Sequence, residues 1–295
     1  MTKPRKELRR TRFANDRLDP IGVELITLTE LHARVAARQL FETERVEFFM
    51  VLVAIRGRGE HLVDFERFDL RTGDVVFVRP GQVQQWQPAK GFEADLLLID
   101  PAVVQPTAST SRQTTVALLR LEEWPVHFRV GAHGLAAWSS LAAMLRRELD
   151  QPELDGLSGA MAHELLVCLM LGLSRSATGN AAVPTVQAVL VRRLRRELEA
   201  SVHTRPSVSS LARRLGVSTS TLARTCTHAL GHSAKEEVDR RVALEAQRLL
   251  VHSTSTSAAI GEILGFSEPT NFVKFFRRCV GATPEAFRQA HRLRG

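Results

Sequence analysis

The spacing of hydrophobic and polar residues predicts a β-rich region followed by a helical one. Between about residues 13 and 100, short β-rich or alternating segments recur at regular intervals, as is typical of antiparallel strands. Gly-containing turns separate them: RGRG at 56–59, RTGD at 71–74 and RPGQ at 79–82. The predicted strands are 23–28, 47–55, 59–65, 75–78 and 94–99. Together they predict a small antiparallel β-barrel or jelly roll.

Helical spacing replaces the strand pattern after residue 134. The stretch 135–149 has an apolar stripe that includes Trp138 and Leu145, and 158–174 is apolar on almost all sides. Two such helices need a surface to pack on, so we expect them to accompany the β-rich region. A further short helix is predicted at 116–121.

The net charge of +8 lies entirely in the last third of the chain. From residue 184 onward there are 18 Lys and Arg residues and 9 Asp and Glu residues, whereas the preceding part has 22 Lys and Arg and 23 Asp and Glu. This imbalance is typical of a nucleic-acid-binding domain joined to a neutral one. The small, polar run RSATGNAAV at 175–183 is typical of a linker.

Four segments follow from these patterns. We predict a basic flexible arm at 1–12, a β-rich domain with accessory helices at 13–174, a linker at 175–184 and an all-helical domain at 185–295. The arm either touches DNA phosphate or stays a solvated tail. The fold class is therefore α+β.

The helical domain contains a predicted helix-turn-helix unit at about 207–231. Gly216 makes its turn and Ser218 caps the following helix, while Leu222 and Cys226 form that helix's buried side. A long helix at 235–252 follows, and a second unit is predicted at about 256–280.

In the second unit, Gly265 ends a short helix and Pro269 occupies the first position of the next, where a missing N–H costs nothing. Four apolar residues of that helix recur at i, i+3, i+4 and i+7 and predict a buried stripe. They are Phe272, Phe275, Phe276 and Cys279.

The outward faces of the two second helices carry DNA-binding chemistry. Arg224 suits a guanine edge or a phosphate, Asn271 suits adenine, and Lys274 suits a phosphate. The alternative is an amphipathic helix pair whose basic face is only solvated. The predicted DNA-contacting residues are Ser218, Thr219, Ser220, Thr221, Arg224, Glu268, Pro269, Thr270, Asn271 and Lys274. Two such helices on one face would fit major-groove segments about 34 Å apart.

The run GFSEPTNFVKFFRR…GATPEAFR at 265–288 resembles the C-terminal signature of the AraC/XylS family of bacterial transcription regulators, and the resemblance covers about 189–292. It implies two helix-turn-helix units joined by a long helix, a homodimer, contact with RNA polymerase, and activation rather than repression. The chain departs from the family pattern at Ala223, Cys226 and Gly261. Glycine in a helix costs roughly 1 kcal/mol, but at 261 it keeps two helices close.

The segment GDVVFVRPGQVQQW at 73–86 resembles part of a cupin-like sensing domain, over about residues 20–100. Many cupins hold a metal through several histidines, but here His61 stands alone, and Gln84 and Gln85 occupy the second motif's histidine position. We predict no metal, no cofactor and no catalysis. The barrel mouth would hold a small-molecule effector, with Arg79 as a carboxylate clamp and Trp86 as an apolar wall. The alternative is that both residues are structural or belong to the rim surface.

Three scattered cysteines, Cys168, Cys226 and Cys279, lie in apolar contexts without a CxxC motif or a secretory leader. They predict reduced core thiols in a cytoplasmic protein. The most apolar run, 165–173, is too short to span a bilayer, so no membrane partner is expected.

The predicted function is a ligand-responsive, sequence-specific DNA-binding transcription regulator. Ligand would shift a conformational equilibrium of the sensing domain or of the dimer. Two alternatives stay open: a cupin-type enzyme with a fused regulatory module, and a DNA-binding protein whose barrel is only a dimerisation scaffold.

Overall fold

A computed structural model describes residues 9–13, 15–35, 43–87, 89–104, 121, 124–178 and 186–292. It separates the chain into two compact units, one spanning Arg9–Val183 and the other containing Pro184–Gly295. The short helix predicted at 116–121 lies outside the described residues, apart from Leu121.

The first unit contains two five-stranded sheets. Sheet 1 has the strand order β1-β3-β8-β5-β6, and sheet 2 has the order β10-β7-β4-β9-β2. The described strands are β1 Arg9–Thr11, β2 Val23–Thr27, β3 Glu44–Val46, β4 Phe49–Arg56, β5 Arg58–Val63, β6 Glu66–Arg71, β7 Asp74–Val78, β8 Val83–Gln87, β9 Glu93–Ile99 and β10 His127–Arg129. The prediction of a β-rich domain is confirmed, but in the described residues the sheets stay open rather than closing into a barrel.

Strand β1 departs from the all-antiparallel prediction because it pairs parallel to β3, with Thr11 opposite Val46. The Thr11 hydroxyl donates to Glu44 at 2.5 Å, and the Thr11 carbonyl accepts from the Glu47 amide at 2.9 Å. These bonds fix Arg9–Thr11 as a sheet edge, so this part of the predicted flexible arm is ordered. The other described strand pairs are antiparallel.

The predicted glycine turns are confirmed. Gly57, Gly73 and Gly81 adopt φ of 85°, 89° and 85°, the left-handed region that favours glycine. At Gly57 the chain also approaches a neighbouring turn, since a Cβ there would lie 2.3 Å from the carbonyl oxygen of Gly91.

Two hydrophobic cores lie on opposite faces of sheet 2. Val51 and Val53 of β4 point to one core, and Met50 and Leu52 point to the other, between the two sheets. Because both faces of β4 are covered, its sequence is apolar at consecutive positions rather than at alternate ones.

Helices α2 (Ala132–Leu149) and α3 (Gly156–Thr178) contribute to the outer core, as the sequence predicts. The Trp138 indole donates to Asp95 at 2.8 Å, which ties α2 to β9. A short helix, α1 (Leu28–Arg34), begins with a capping box formed by Thr27 and Glu30. It continues directly from strand β2 and was not predicted.

Helix α3 is longer than its apolar run suggests. It continues through 175–178 of the predicted linker because Ala177 still packs against the core. By length and composition alone its stretch Gly156–Ala177 suffices to cross a membrane, and 44% of its most apolar window is buried inside the protein. Leu166, Leu169 and Met170 belong to the outer core, as expected of a core helix.

The second unit is helical among its described residues. Its helices are α4 Val186–Ser201, α5 Val208–Leu215, α6 Thr219–Leu230, α7 Ala234–His252, α8 Ser257–Ile263, α9 Pro269–Val280 and α10 Pro284–Arg292, with a 3-10 turn at Val202–Thr204. Helix α7 packs against most of the others, and Val238, Val242, Ala246 and Leu250 form its buried stripe.

The prediction of three core cysteines is wrong for two of them. Cys226 is buried, whereas Cys168 and Cys279 are exposed. Cys279 stands at the i+7 position of the predicted stripe of α9, near the helix end, so the buried side of that helix consists of Phe272, Phe275 and Phe276.

Candidate nucleic-acid interface and ligand cavity

The first helix-turn-helix unit consists of α5 and α6. Ser207 caps α5 and accepts from the Ser210 amide at 3.2 Å, and Gly216 ends it with φ of 69°. Ser218 then caps α6 and accepts from the Thr221 amide at 3.0 Å. Leu222 and Cys226 are fully buried, so the opposite side of α6 faces outward.

The second unit consists of α8 and α9. Thr256 caps α8, and Gly265 turns the chain with φ of 76°. Glu268 is the N-cap residue of α9 and Pro269 opens the helix, as predicted, although the Glu268 side chain makes no capping hydrogen bond. Pro269 gives the helix its start without that bond.

An aromatic cluster supports α9 from behind. The ring centroids of Phe266 and Phe272 lie 5.4 Å apart, and those of Phe276 and Phe287 lie 5.6 Å apart, at edge-to-face angles of 69° and 74°. Because Phe272 and Phe276 are fully buried, α9 has a fixed rotation about its axis. That rotation determines which side chains of α9 face outward.

Ion pairs join α4 to α7. Glu237 accepts from Arg195 at 2.8 Å and from His232 at 2.7 Å. Burial alone would raise the pKa of Glu237, but the Arg195 and His232 contacts outweigh it and lower the pKa. One turn further along, Arg241 bonds Glu199 at 2.6 Å and reaches the fully buried Glu245 at 3.3 Å. These pairs fix α4 against α7.

The exposed faces of α6 and α9 differ in chemistry. Helix α6 presents hydroxyl groups and Arg224, whereas α9 presents an amide and three basic side chains. Arg278 is engaged by Asp239 at 2.8 Å. All but one of the predicted DNA contacts are exposed on these faces, and Thr221 is half-buried. The exposed ones are Ser218, Thr219, Ser220 and Arg224 on the first helix-turn-helix unit, and Glu268, Pro269, Thr270, Asn271 and Lys274 on the second. Such groups can read base edges and bind phosphates.

The β-sheet unit, Arg9–Val183, contains a cavity of about 210 Å³. Apolar side chains of β2, β4, β8 and β9 form much of its wall, including Ile26, Met50, Trp86 and Leu96. Its polar lining consists of Thr11, Arg12, Glu24, Arg34, Glu44 and Gln84.

Of the two predicted effector residues, only Trp86 lines this cavity. Arg79 lies elsewhere: its guanidinium stacks on Phe77, 4.9 Å from the ring centroid, and donates to the carbonyl oxygens of Leu121 and Trp124. These contacts give Arg79 a structural role, because it holds the segment that leads to β10.

His61 is fully buried between sheet neighbours, with its ring centroid 4.5 Å from that of Trp86. Burial lowers the pKa of His61 to about 4. The ring is therefore neutral at physiological pH. Among the described residues, no group of three or more His, Cys, Asp or Glu side chains has an arrangement that fits a metal ion.

The cavity residues Glu24, Arg34 and Glu44 were not singled out from the sequence. They lie on β2, α1 and β3, which are separated along the chain and meet only through sheet pairing. A capping box was the available signal for α1, since Thr27 and Glu30 stand three residues apart.

Two helix-turn-helix units on one scaffold, in a chain whose other unit is a β-sheet domain with an internal cavity, define a transcription regulator with a ligand-binding domain. The family described as "AraC-like ligand binding domain" matches residues 29–166, and the one described as "Helix-turn-helix domain" matches 211–290. The chain belongs to the AraC/XylS family of transcription regulators. The curated relatives that it matches are named as transcriptional activators and not as enzymes.

Two named relatives, RhaS and RhaR, agree with this assignment. The chain is 24% identical over 249 residues to the HTH-type transcriptional activator RhaS of Pectobacterium carotovorum, covering 82% of this chain and 85% of RhaS. It is 24% identical to the activator RhaR of Klebsiella pneumoniae, covering 86% of this chain and 90% of RhaR. Among solved structures, ToxT of Vibrio cholerae matches 91% of this chain and 97% of its own, at 9% identity and a TM-score of 0.41.

Proposed function

We propose that this chain is a cytoplasmic transcription activator that binds promoter DNA through α6 and α9 and responds to a small molecule in the cavity of the first unit. The observation that carries the proposal is the pair of exposed polar helix faces, each with a buried back and each packed near α7. The relatives RhaS and RhaR are named activators, which supports activation over repression.

In this proposal each recognition helix contributes different contacts. Arg224 reads a guanine or clamps a phosphate beside α6, with the hydroxyl groups of Thr219 and Ser220 nearby. Asn271 reads adenine, Lys274 neutralises a phosphate, and Thr270 contacts the backbone beside α9. The domains of the proposed protein are 13–174 for sensing and 185–295 for DNA binding.

The proposed assembly is a homodimer that contacts RNA polymerase. Exposed apolar side chains on α2 and α3 support a dimer surface there: Met144 is 42% exposed, Leu157 76% and Met161 48%. A dimer would place two copies of the DNA-binding unit on two half-sites.

Footprinting of the full-length protein on DNA upstream of its own gene tests the DNA-binding proposal. We expect protection of two half-sites, each containing two adjacent major-groove segments. The Arg224→Ala variant should lose protection in one segment and Asn271→Ala in the other, each at roughly 1–3 kcal/mol. If neither variant changes the footprint of the folded protein, these two helices are not its recognition elements.

Sedimentation of the full-length protein tests the dimer. We expect the Leu157→Glu, Met161→Glu double variant to sediment as a monomer while its helical content is unchanged. The control is Ala136→Glu, an exposed position elsewhere on α2. A double variant that remains dimeric would place the dimer surface elsewhere.

A further inference from the structure

We propose that the cavity of the first unit binds a small organic cation, an amine on an apolar body, with Glu44 as its counter-ion. This inference rests on the proposed function, since it names the class of molecule to which the regulator would respond. It follows from the charges, the hydrogen bonds and the size of the cavity.

The charges that line the cavity leave one carboxylate without a cationic partner. Arg34 is paired with Glu24 at 2.5 Å, and Arg12 is paired at 2.7 Å with Glu47, which is not among the lining residues. Glu44 contacts no cationic side chain among the described residues; its partners there are neutral. A carboxylate in such a place is stabilised most by a ligand that brings a positive charge.

Neutral donors hold the Glu44 carboxylate in position. The Thr11 hydroxyl donates to one of its oxygens at 2.5 Å, and the Gln84 amide donates to the other at 2.9 Å. Gln84 is only 2% exposed. Each carboxylate oxygen keeps a lone pair for a further donor, so an ammonium group can bind without breaking these bonds.

The rest of the cavity fits an apolar body. Ile26, Phe48, Met50, Leu96 and Leu98 are among its lining residues. Its volume of about 210 Å³ corresponds to roughly seven water molecules at ~30 Å³ each, which limits the ligand to a small molecule.

Trp86 adds a second feature that favours a cation. Its ring lines the cavity, and the His61 ring packs against it at an interplanar angle of 63°. Aromatic faces attract ammonium groups, and an indole does so most strongly among the aromatic side chains. An anionic ligand would instead meet the Glu44 carboxylate and find both lining arginines already paired.

A charge series of similar molecules tests the inference on the full-length protein. Phenethylamine, phenethyl alcohol and hydrocinnamate have similar apolar bodies and differ in charge. We expect calorimetry to show binding of phenethylamine at least tenfold tighter than that of the other two. Equal binding of the alcohol, tighter binding of the carboxylate, or no binding of the amine would overturn the inference.

Two variants locate the charge. Glu44→Gln should weaken phenethylamine binding by roughly ten- to hundredfold, the usual effect of losing a charge-assisted hydrogen bond. The matched control Glu60→Gln should leave it unchanged, because Glu60 is paired with Arg67 at 3.1 Å and does not line the cavity. If Glu44→Gln binds phenethylamine as tightly as the unmodified protein, Glu44 is not the counter-ion.

The footprint separates this inference from the proposed function. Protection of promoter DNA without amine binding would overturn only the ligand class. Amine binding by a protein that gives no footprint would overturn the regulator and leave the cavity assignment standing.

Discussion

A Cβ atom on Gly261 would lie 3.0 Å from the Cβ of Phe272. The two helices of the second helix-turn-helix unit therefore touch at a point where one of them has no side chain. Phe272 is fully buried there and its ring packs edge-on against Phe266. This close approach lets α8 support α9, the proposed recognition helix, directly.

Replacing Gly261 by Val is expected to destabilise the second helix-turn-helix unit, α8 and α9. The two added methyl groups and the Cβ must displace Phe272, and overpacking of this kind costs about 1–3 kcal/mol. Urea unfolding followed by far-UV circular dichroism measures the loss. The control Ala286→Val adds a β-branched side chain at an exposed position of α10 and should change stability by less than about 1 kcal/mol. Equal losses in the two variants would contradict the packing argument.

Replacing Lys274 by Ala is expected to weaken DNA binding and to lower the slope of log K against log salt by about 1, the effect of one lost phosphate contact. Titration of labelled promoter DNA at several salt concentrations measures both. Lys235→Ala is the matched control, since Lys235 lies on α7 and is paired with Asp239 at 3.2 Å. A slope that is unchanged in Lys274→Ala would remove this residue from the interface.

The contact of Glu237 with Arg195 predicts loss of stability of the helical unit, residues 186–292, in acid. Because the pKa of Glu237 is lowered below its ordinary value of 4.5, its contribution is present above about pH 4.5. It is lost as the pH falls through the lowered pKa, since the carboxyl must then be protonated.

Glu237→Gln should cost about 1–2 kcal/mol at neutral pH, because Arg195 loses its charged partner but is 37% exposed and stays partly hydrated, and should flatten the acid dependence. Urea unfolding at several pH values measures this. Glu262→Gln, at an exposed position of α8, should change neither. An unaltered pH profile in Glu237→Gln would mean that another group governs acid unfolding.

His61 predicts a pH dependence of the first unit. Its pKa is lowered from 6.5 to about 4. Between pH 6.5 and pH 4, His61 therefore binds a proton in the unfolded chain but not in the folded one. Stability should be full above about pH 6.5 and fall toward pH 4 by roughly 3 kcal/mol. Tryptophan fluorescence follows this unit alone, because Trp86, Trp124 and Trp138 all belong to it.

His61→Gln should remove this part of the pH dependence whatever it does to stability at neutral pH. His133→Gln, at an exposed position of α2, should leave the dependence in place. Identical profiles in both variants would show that His61 does not titrate as its burial requires.

Arg205 predicts an unusual order of stabilities. Its φ of 45° lies in the left-handed region, and its guanidinium sits 4.2 Å from the centroid of the Phe266 ring. Arg205→Ala loses the ring contact and keeps the strain, whereas Arg205→Gly loses the contact and relieves the strain. The Gly variant should therefore be more stable than the Ala variant by roughly 1 kcal/mol in urea unfolding. The opposite order would mean that the strain is absent.

The helical unit, residues 186–292, could be predicted in detail because the sequence features that define it are local. Caps, turn glycines and apolar spacing lie within a few residues of one another, and Ser218, Gly265 and Pro269 stand where the sequence places them. Cys279 was misplaced because the i+7 position falls at the end of the helix, where the neighbouring elements no longer cover it.

The first unit was predicted less completely because its features depend on long-range pairing. Strand β6 has only two apolar residues, Phe68 and Leu70, among charged ones, so its alternation is too short to identify a strand by itself. The cavity was missed for the same reason, since Glu24 and Glu44 come together only when strands distant in sequence take their places. Arg79 suits a ligand carboxylate by its chemistry, yet it binds main-chain carbonyls that no local pattern reveals.

Helix α7 holds the two proposed recognition helices, α6 and α9, which are not copies of each other. One offers hydroxyl groups and a single arginine, and the other an amide beside basic side chains. A DNA site for one chain is therefore asymmetric, and the same site in the opposite orientation presents its two segments in reverse order. Inverting a half-site in a promoter would reverse the orientation of the bound regulator. The orientation of the site, as well as its sequence, would therefore affect regulation.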